Sequence, residues 1–71
     1  MTSSELSVEI NGEPRRVPEG TTVATLLDRL ALSGKFVAVE VNCQLVPKAR
    51  HAARRLAEGD RIEIVTLVGG G

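Results

Sequence analysis

Apolar and polar residues alternate from the start of the chain: Leu6, Val8 and Ile10 interleave with Ser7, Glu9 and Asn11. A period of two with one apolar face predicts a half-buried strand. Asn11-Gly12 follows and predicts a tight hairpin, because a type I′ turn needs positive φ at both central residues. The returning strand runs from Glu13 to Val17, and Pro14 within it cannot donate a ladder hydrogen bond, so it belongs at a sheet edge. Pro18-Glu19-Gly20 ends the hairpin.

The period then changes. Thr21-Thr22 supplies an N-cap whose hydroxyl accepts from free amides of a first helical turn. Val23, Leu26, Leu27 and Leu30 follow at i, i+3, i+4 and i+7, one apolar stripe, with Asp28 and Arg29 facing outward. Ser33-Gly34 is the expected stop, glycine being suited to the left-handed position after a helix. At about ten residues such a helix is marginal alone and needs a sheet to pack on.

Alternation returns at Phe36-Val37-Ala38-Val39-Glu40-Val41, with the three valines on one face. Asn42-Cys43-Gln44 reads as a tight turn and Leu45-Val46-Pro47 as a short extended piece. Residues 48–55 carry helix formers without a stripe and read as a helical turn or loop, with His51 at the surface. Leu56 is a core plug and Glu58-Gly59-Asp60 a turn. The last strand, Arg61 to Leu67, sets Ile62 and Ile64 on one face and Glu63, Val65 and Leu67 on the other. One amphipathic helix laid on one mixed sheet is the simplest two-layer solution for these elements. The expected class is α+β, a sheet of four to five strands with one main helix on one face.

Composition narrows the function. Seventy-one residues make one domain, expected over 1–71 with 69–71 as a flexible tail. With no Trp, no Tyr and one Phe, the core must be aliphatic. Nine basic and nine acidic side chains cancel, which argues against a general attraction to nucleic acid. Bases concentrate between Lys48 and Arg61, where Arg54, Arg55 and Arg61 read as a solvated face or as steering charges for an acidic partner. Cys43 is the only cysteine, so no internal disulfide forms, in keeping with a cytoplasmic protein. No apolar run has membrane-helix length and no signal peptide opens the chain. One His and one Cys make no metal site, and no phosphate-binding glycine motif is present.

The chain finishes on Gly69-Gly70-Gly71. Three glycines add nothing to packing and lose the most backbone freedom on folding. Without Cβ atoms they thread a slot too narrow for other residues. A terminal carboxylate is ionised at neutral pH, and the four residues from Val68 to Gly71 extend roughly 13 Å. Such a tail is built to deliver Gly71 to a partner's catalytic centre. Val65, Leu67 and Val68 precede it, and with Phe36 and Ala38 from the neighbouring strand they form an expected docking face.

Gly59-Asp60-Arg61-Ile62-Glu63-Ile64-Val65 followed by Val68-Gly69-Gly70-Gly71, together with Asn42-Cys43-Gln44-Leu45-Val46-Pro47-Lys48, Asn11-Gly12 and Gly20-Thr21-Thr22-Val23, resembles the ThiS family over nearly the whole length. These are sulfur carriers of thiamine thiazole synthesis. The resemblance implies a ubiquitin-like β-grasp fold and its strand order. It implies that a ThiF-like adenylyltransferase uses ATP and magnesium to adenylate Gly71, that sulfur from a cysteine desulfurase displaces AMP, and that the resulting thiocarboxylate serves thiazole synthase. The carrier is then a protein co-substrate rather than an enzyme, and binds no cofactor of its own. Cys43 stands where the family would place a small turn residue and takes no role from it. The alternatives are a molybdopterin-type sulfur carrier, a protein modifier joined to lysines, or a non-covalent β-grasp binding module.

Overall fold

The computed structural model describes residues 4–67, and the expectations for Val68 and for Gly69, Gly70 and Gly71 lie outside the described residues. Five strands form in chain order: β1 (Glu5–Ile10), β2 (Glu13–Pro18), β3 (Val37–Val41), β4 (Gln44–Leu45) and β5 (Arg61–Thr66). A helix α1 (Val23–Arg29) lies between β2 and β3, and a short 3-10 turn (Lys48–Arg50) between β4 and β5. The sheet order is β2-β1-β5-β3-β4, with β1 and β5 parallel and the other neighbours antiparallel. This is the β-grasp arrangement, with β5 at its centre.

Both hairpin turns depend on positive φ. Asn11 and Gly12 take 51° and 84°, and Asn42 and Cys43 take 52° and 68°. Pro14 and Pro18 lie on β2, an edge strand where a missing amide breaks no ladder. The core forms where the helix stripe meets the inner face of the sheet. Val23, Leu26 and Leu27 are buried with Val8, Ile10, Val17, Val39, Val41, Ile62 and Ile64, and Leu56 plugs one end as its position suggested.

The helix starts as expected and stops early. Thr22 is the N-cap: its hydroxyl accepts from the Thr25 amide at 3.2 Å, while the Thr25 hydroxyl accepts from the Thr22 amide at 2.8 Å. The expected stop at Gly34 is corrected to Ala31, which adopts φ 60°. The Leu32 amide donates back to the Leu27 carbonyl at 2.8 Å and the Ala31 amide to Asp28 at 3.1 Å, the Schellman pattern. The reason lies in Leu32. Nine residues after Val23, a continuing helix would carry it to the face opposite the leucine stripe. Turning at Ala31 brings Leu32 onto the core instead.

His51 is the second correction, since it is buried rather than at the surface. Its Nε2 lies 3.0 Å from the Val46 carbonyl oxygen. The loop around it closes the N-terminus of α1: the Val23 amide donates to Arg54 and the Ala24 amide to His51, both at 2.9 Å. The loop therefore supplies acceptors that the first helical turn lacks, and packs against the helix to do so.

Candidate functional site

The site is the end of β5 and its surroundings. β5 is paired to β3 along its length, from Val41↔Ile62 to Val37↔Thr66. On its other side β1 pairs only at Glu9↔Arg61 and Ile10↔Ile62 before turning away. The Asn11 side chain continues the ladder. Its Oδ1 accepts from the Ile64 amide at 2.7 Å and its Nδ2 donates to the Ile64 carbonyl at 3.2 Å. One side-chain amide thus stands in for the next peptide group of β1, and holds the strand two residues beyond the last backbone pair.

Asn42 does similar work at the start of β5. Its Oδ1 accepts from the Arg61 amide at 3.0 Å, and its Nδ2 donates to Asp60 Oδ1 at 3.0 Å. Asp60 is buried, and its other oxygen accepts from the Ala57 amide at 2.8 Å. Arg54 lies 3.7 Å away and also donates to the Arg55 carbonyl. Arg54 therefore has an internal ion pair, whereas Arg55 is exposed. From the sequence alone, Asn11, Asn42 and Asp60 read as turn residues and nothing more. The available signal is an asparagine opening each of two tight turns, but the amide's partner is distant in sequence.

The outward side of β5 carries the expected apolar residues. Val65 is 55% exposed and stands directly opposite Ala38. Leu67 is 52% exposed, and its amide donates to the Phe36 carbonyl at 2.7 Å. Phe36 itself is 73% exposed. Ala38 and Val65 thus share the uncovered face of the sheet, with Phe36 and Leu67 exposed just beyond the ends of β3 and β5, while Val68 lies outside the described residues. Leu45, 65% exposed and opposite Glu40, extends the apolar surface beyond the residues expected from sequence. Phe36 and Leu67 also line a groove of about 450 Å³ together with Leu27, Leu32, Val37, His51, Lys35 and Lys48.

Cys43 is a free, exposed thiol on the β3–β4 turn, at the other end of β3 from Phe36. Among the described residues no cluster of His, Cys, Asp and Glu could hold a metal ion, and no helix is long and apolar enough to cross a membrane.

A family model described as the ThiS family matches residues 8–71. The sulfur carrier protein ThiS of Bacillus subtilis is 37% identical over 65 residues, covering 90% of this chain and 98% of that one. A thiazole synthase of Paramagnetospirillum magneticum is 41% identical over 66 residues, 93% of this chain, but the chain spans only 20% of that synthase. Among solved structures, the crystal structure of the thiamine biosynthesis protein ThiS from Geobacter metallireducens superposes with a TM-score of 0.79 at 29% identity, over 93% of this chain and all of that one.

Proposed function

The chain belongs to the ThiS family of sulfur carriers, and from that premise we propose that the carboxylate of Gly71 is the group that carries the sulfur for thiazole synthesis. A free carboxylate is a poor acyl donor, because its leaving group would be oxide. A ThiF-like adenylyltransferase joins it to the α-phosphate of ATP with magnesium and releases pyrophosphate. AMP is then a competent leaving group. A persulfide that begins at a cysteine desulfurase attacks the activated carbonyl carbon and expels AMP. A second thiol breaks the sulfur–sulfur bond and leaves the thiocarboxylate, whose sulfur thiazole synthase takes up. Catalytic groups belong to the partners. This chain contributes a reachable carbon and a surface that brings it to the right place, a matter of positioning rather than acid–base chemistry.

The observation that carries this reading is the placement of β5. The strand is held by asparagine side chains at its start, Arg61, and at its middle, Ile64, and runs toward the glycine tail beside the apolar residues Phe36, Ala38, Val65 and Leu67. Partners dock on these residues, joined by Val68, while Gly69 and Gly70 thread. Deleting Gly70 and Gly71 tests the assignment. The truncated chain, still folded, is expected to fail to support growth of a thiamine-requiring strain that the full chain rescues. Rescue by the truncated chain would instead make this a non-covalent binding module.

The docking face makes a separate prediction. Val65→Asp and Leu67→Asp put a charge where binding must strip water, at a few kcal/mol if it is left unpaired. Both variants are expected to stay folded, because the positions are about half exposed. Pyrophosphate release by the activating enzyme should fall at least tenfold at limiting carrier, which corresponds to about 1.4 kcal/mol. Unchanged kinetics would remove these residues from the interface.

A further inference from the structure

We propose that the open face of the sheet receives a basic side chain of the partner between Glu40 and Glu63, an inference that rests on the carrier reading above. Glu40 and Glu63 are directly opposite one another on β3 and β5, both exposed. Like charges facing each other across two strands destabilise a sheet. Neither glutamate lies within ion-pair distance of a base among the described residues. Arg61, two residues before Glu63, forms its ion pair with Glu9 on the far side at 3.2 Å. The neighbour of Glu40 on its other side is Leu45. Among the described residues neither glutamate has an ion pair, whereas Glu5 and Glu9 on the same face each have an arginine.

Elsewhere the chain follows its local rules closely. An edge strand carries Pro14 and Pro18, and buried polar side chains are all hydrogen-bonded among the described residues. A like-charged pair with no gain inside the molecule is the kind of inconsistency that belongs to a functional surface. Its position fits. The pair lies between Ala38 and Val65 on the tail side and Leu45 on the other. A partner seated on those apolar residues therefore covers both carboxylates and removes them from water. Two buried carboxylates without a cation would oppose docking, so the occupant must be basic. A guanidinium suits the gap best, because its planar fork donates to two carboxylates at once and sheds water more readily than an ammonium. The overall charge of the chain is zero, so this local field is what aligns the carrier during approach.

The test uses the full chain with its activating adenylyltransferase, pyrophosphate release as readout, and the variants Glu63→Lys and Glu40→Gln/Glu63→Gln. Glu63→Lys turns repulsion into a cross-strand attraction with Glu40, so it should melt at a higher temperature than the parent. Its kcat/KM for carrier should nevertheless fall about tenfold or more through KM, with kcat at saturation unchanged. The parent's kcat/KM should drop as ionic strength rises, and the double glutamine variant should have lost most of that salt dependence. A purely structural role would move stability and activation in the same direction. Raised melting with unchanged kcat/KM, or an undiminished salt dependence in the double variant, overturns the proposal. If the parent chain itself releases no pyrophosphate, the carrier reading fails and the proposal falls with it.

Discussion

Gly70→Val is expected to abolish thiocarboxylate formation while the domain remains folded. Adenylation needs the Gly71 carboxylate oxygen in line with the α-phosphorus of ATP at roughly 3–3.5 Å. Persulfide attack then needs the same carbonyl carbon open from another side. A β-branched side chain one residue away crowds both approaches and removes backbone conformations that glycine alone adopts freely. Adding one residue after Gly71 should be equally damaging for a different reason, because it places the reactive carbon beyond the site. Neither change touches the buried cluster of the described residues, so the melting temperature should stay at the parent value. The contrast between an intact fold and a lost reaction is what checks the prediction. A Gly70→Val variant activated at the parental rate would show that the tail does not enter a narrow site.

Leu26→Ala is the second large effect, and it acts on the fold. Leu26 is 1% exposed and is among the largest fully buried side chains. It lies at the middle of the helix stripe, where α1 meets the sheet. Removing such a side chain loses its transfer energy and leaves a cavity, at about 2–5 kcal/mol. A domain of this size has a net stability of roughly 3–5 kcal/mol. The expected result is a population substantially unfolded at room temperature, read as lost helical and strand signal by circular dichroism. A loss of about 3 kcal/mol corresponds to a fall of roughly 12–24 °C in Tm. Exposed Phe36→Ala is the control and should move Tm little. A Leu26→Ala melting curve that overlays the parent would mean that the helix is seated by other residues.

These two predictions draw on different parts of what is legible in the sequence. Local periodicity identifies β1, α1, β3 and β5, and tells the buried faces from the exposed ones: Ile62 and Ile64 inward, Val65 and Leu67 outward. Turn chemistry identifies both hairpins, since asparagine tolerates positive φ. Strand order does not follow from periodicity, because parallel pairing of β1 with β5 joins segments from opposite ends of the chain. It comes from the family resemblance.

The misses share that non-local origin. His51 lies in a polar stretch, and only the unsatisfied amides of α1 explain why its loop packs inward. Ala31 ends the helix because Leu32 gains burial there, a gain that a rule seeking glycine overlooks. Asn11 and Asn42 are recognisable as turn formers, yet their side chains bind β5, more than fifty residues away in the case of Asn11. Strand parity reveals Ala38 and Val65 on the uncovered face. It does not reveal Leu45, since a two-residue strand shows no alternation to read.

Whether sulfur is carried at Gly71 is decided by peptide mapping. The full chain is incubated with the activating enzyme, ATP, magnesium and a persulfide source. It is then alkylated, cleaved and analysed by mass spectrometry. One oxygen should be exchanged for sulfur in the C-terminal peptide, with the same yield from Cys43→Ser. Added sulfur confined to the peptide containing Cys43, with Gly71 left as an ordinary carboxylate, would contradict the assignment.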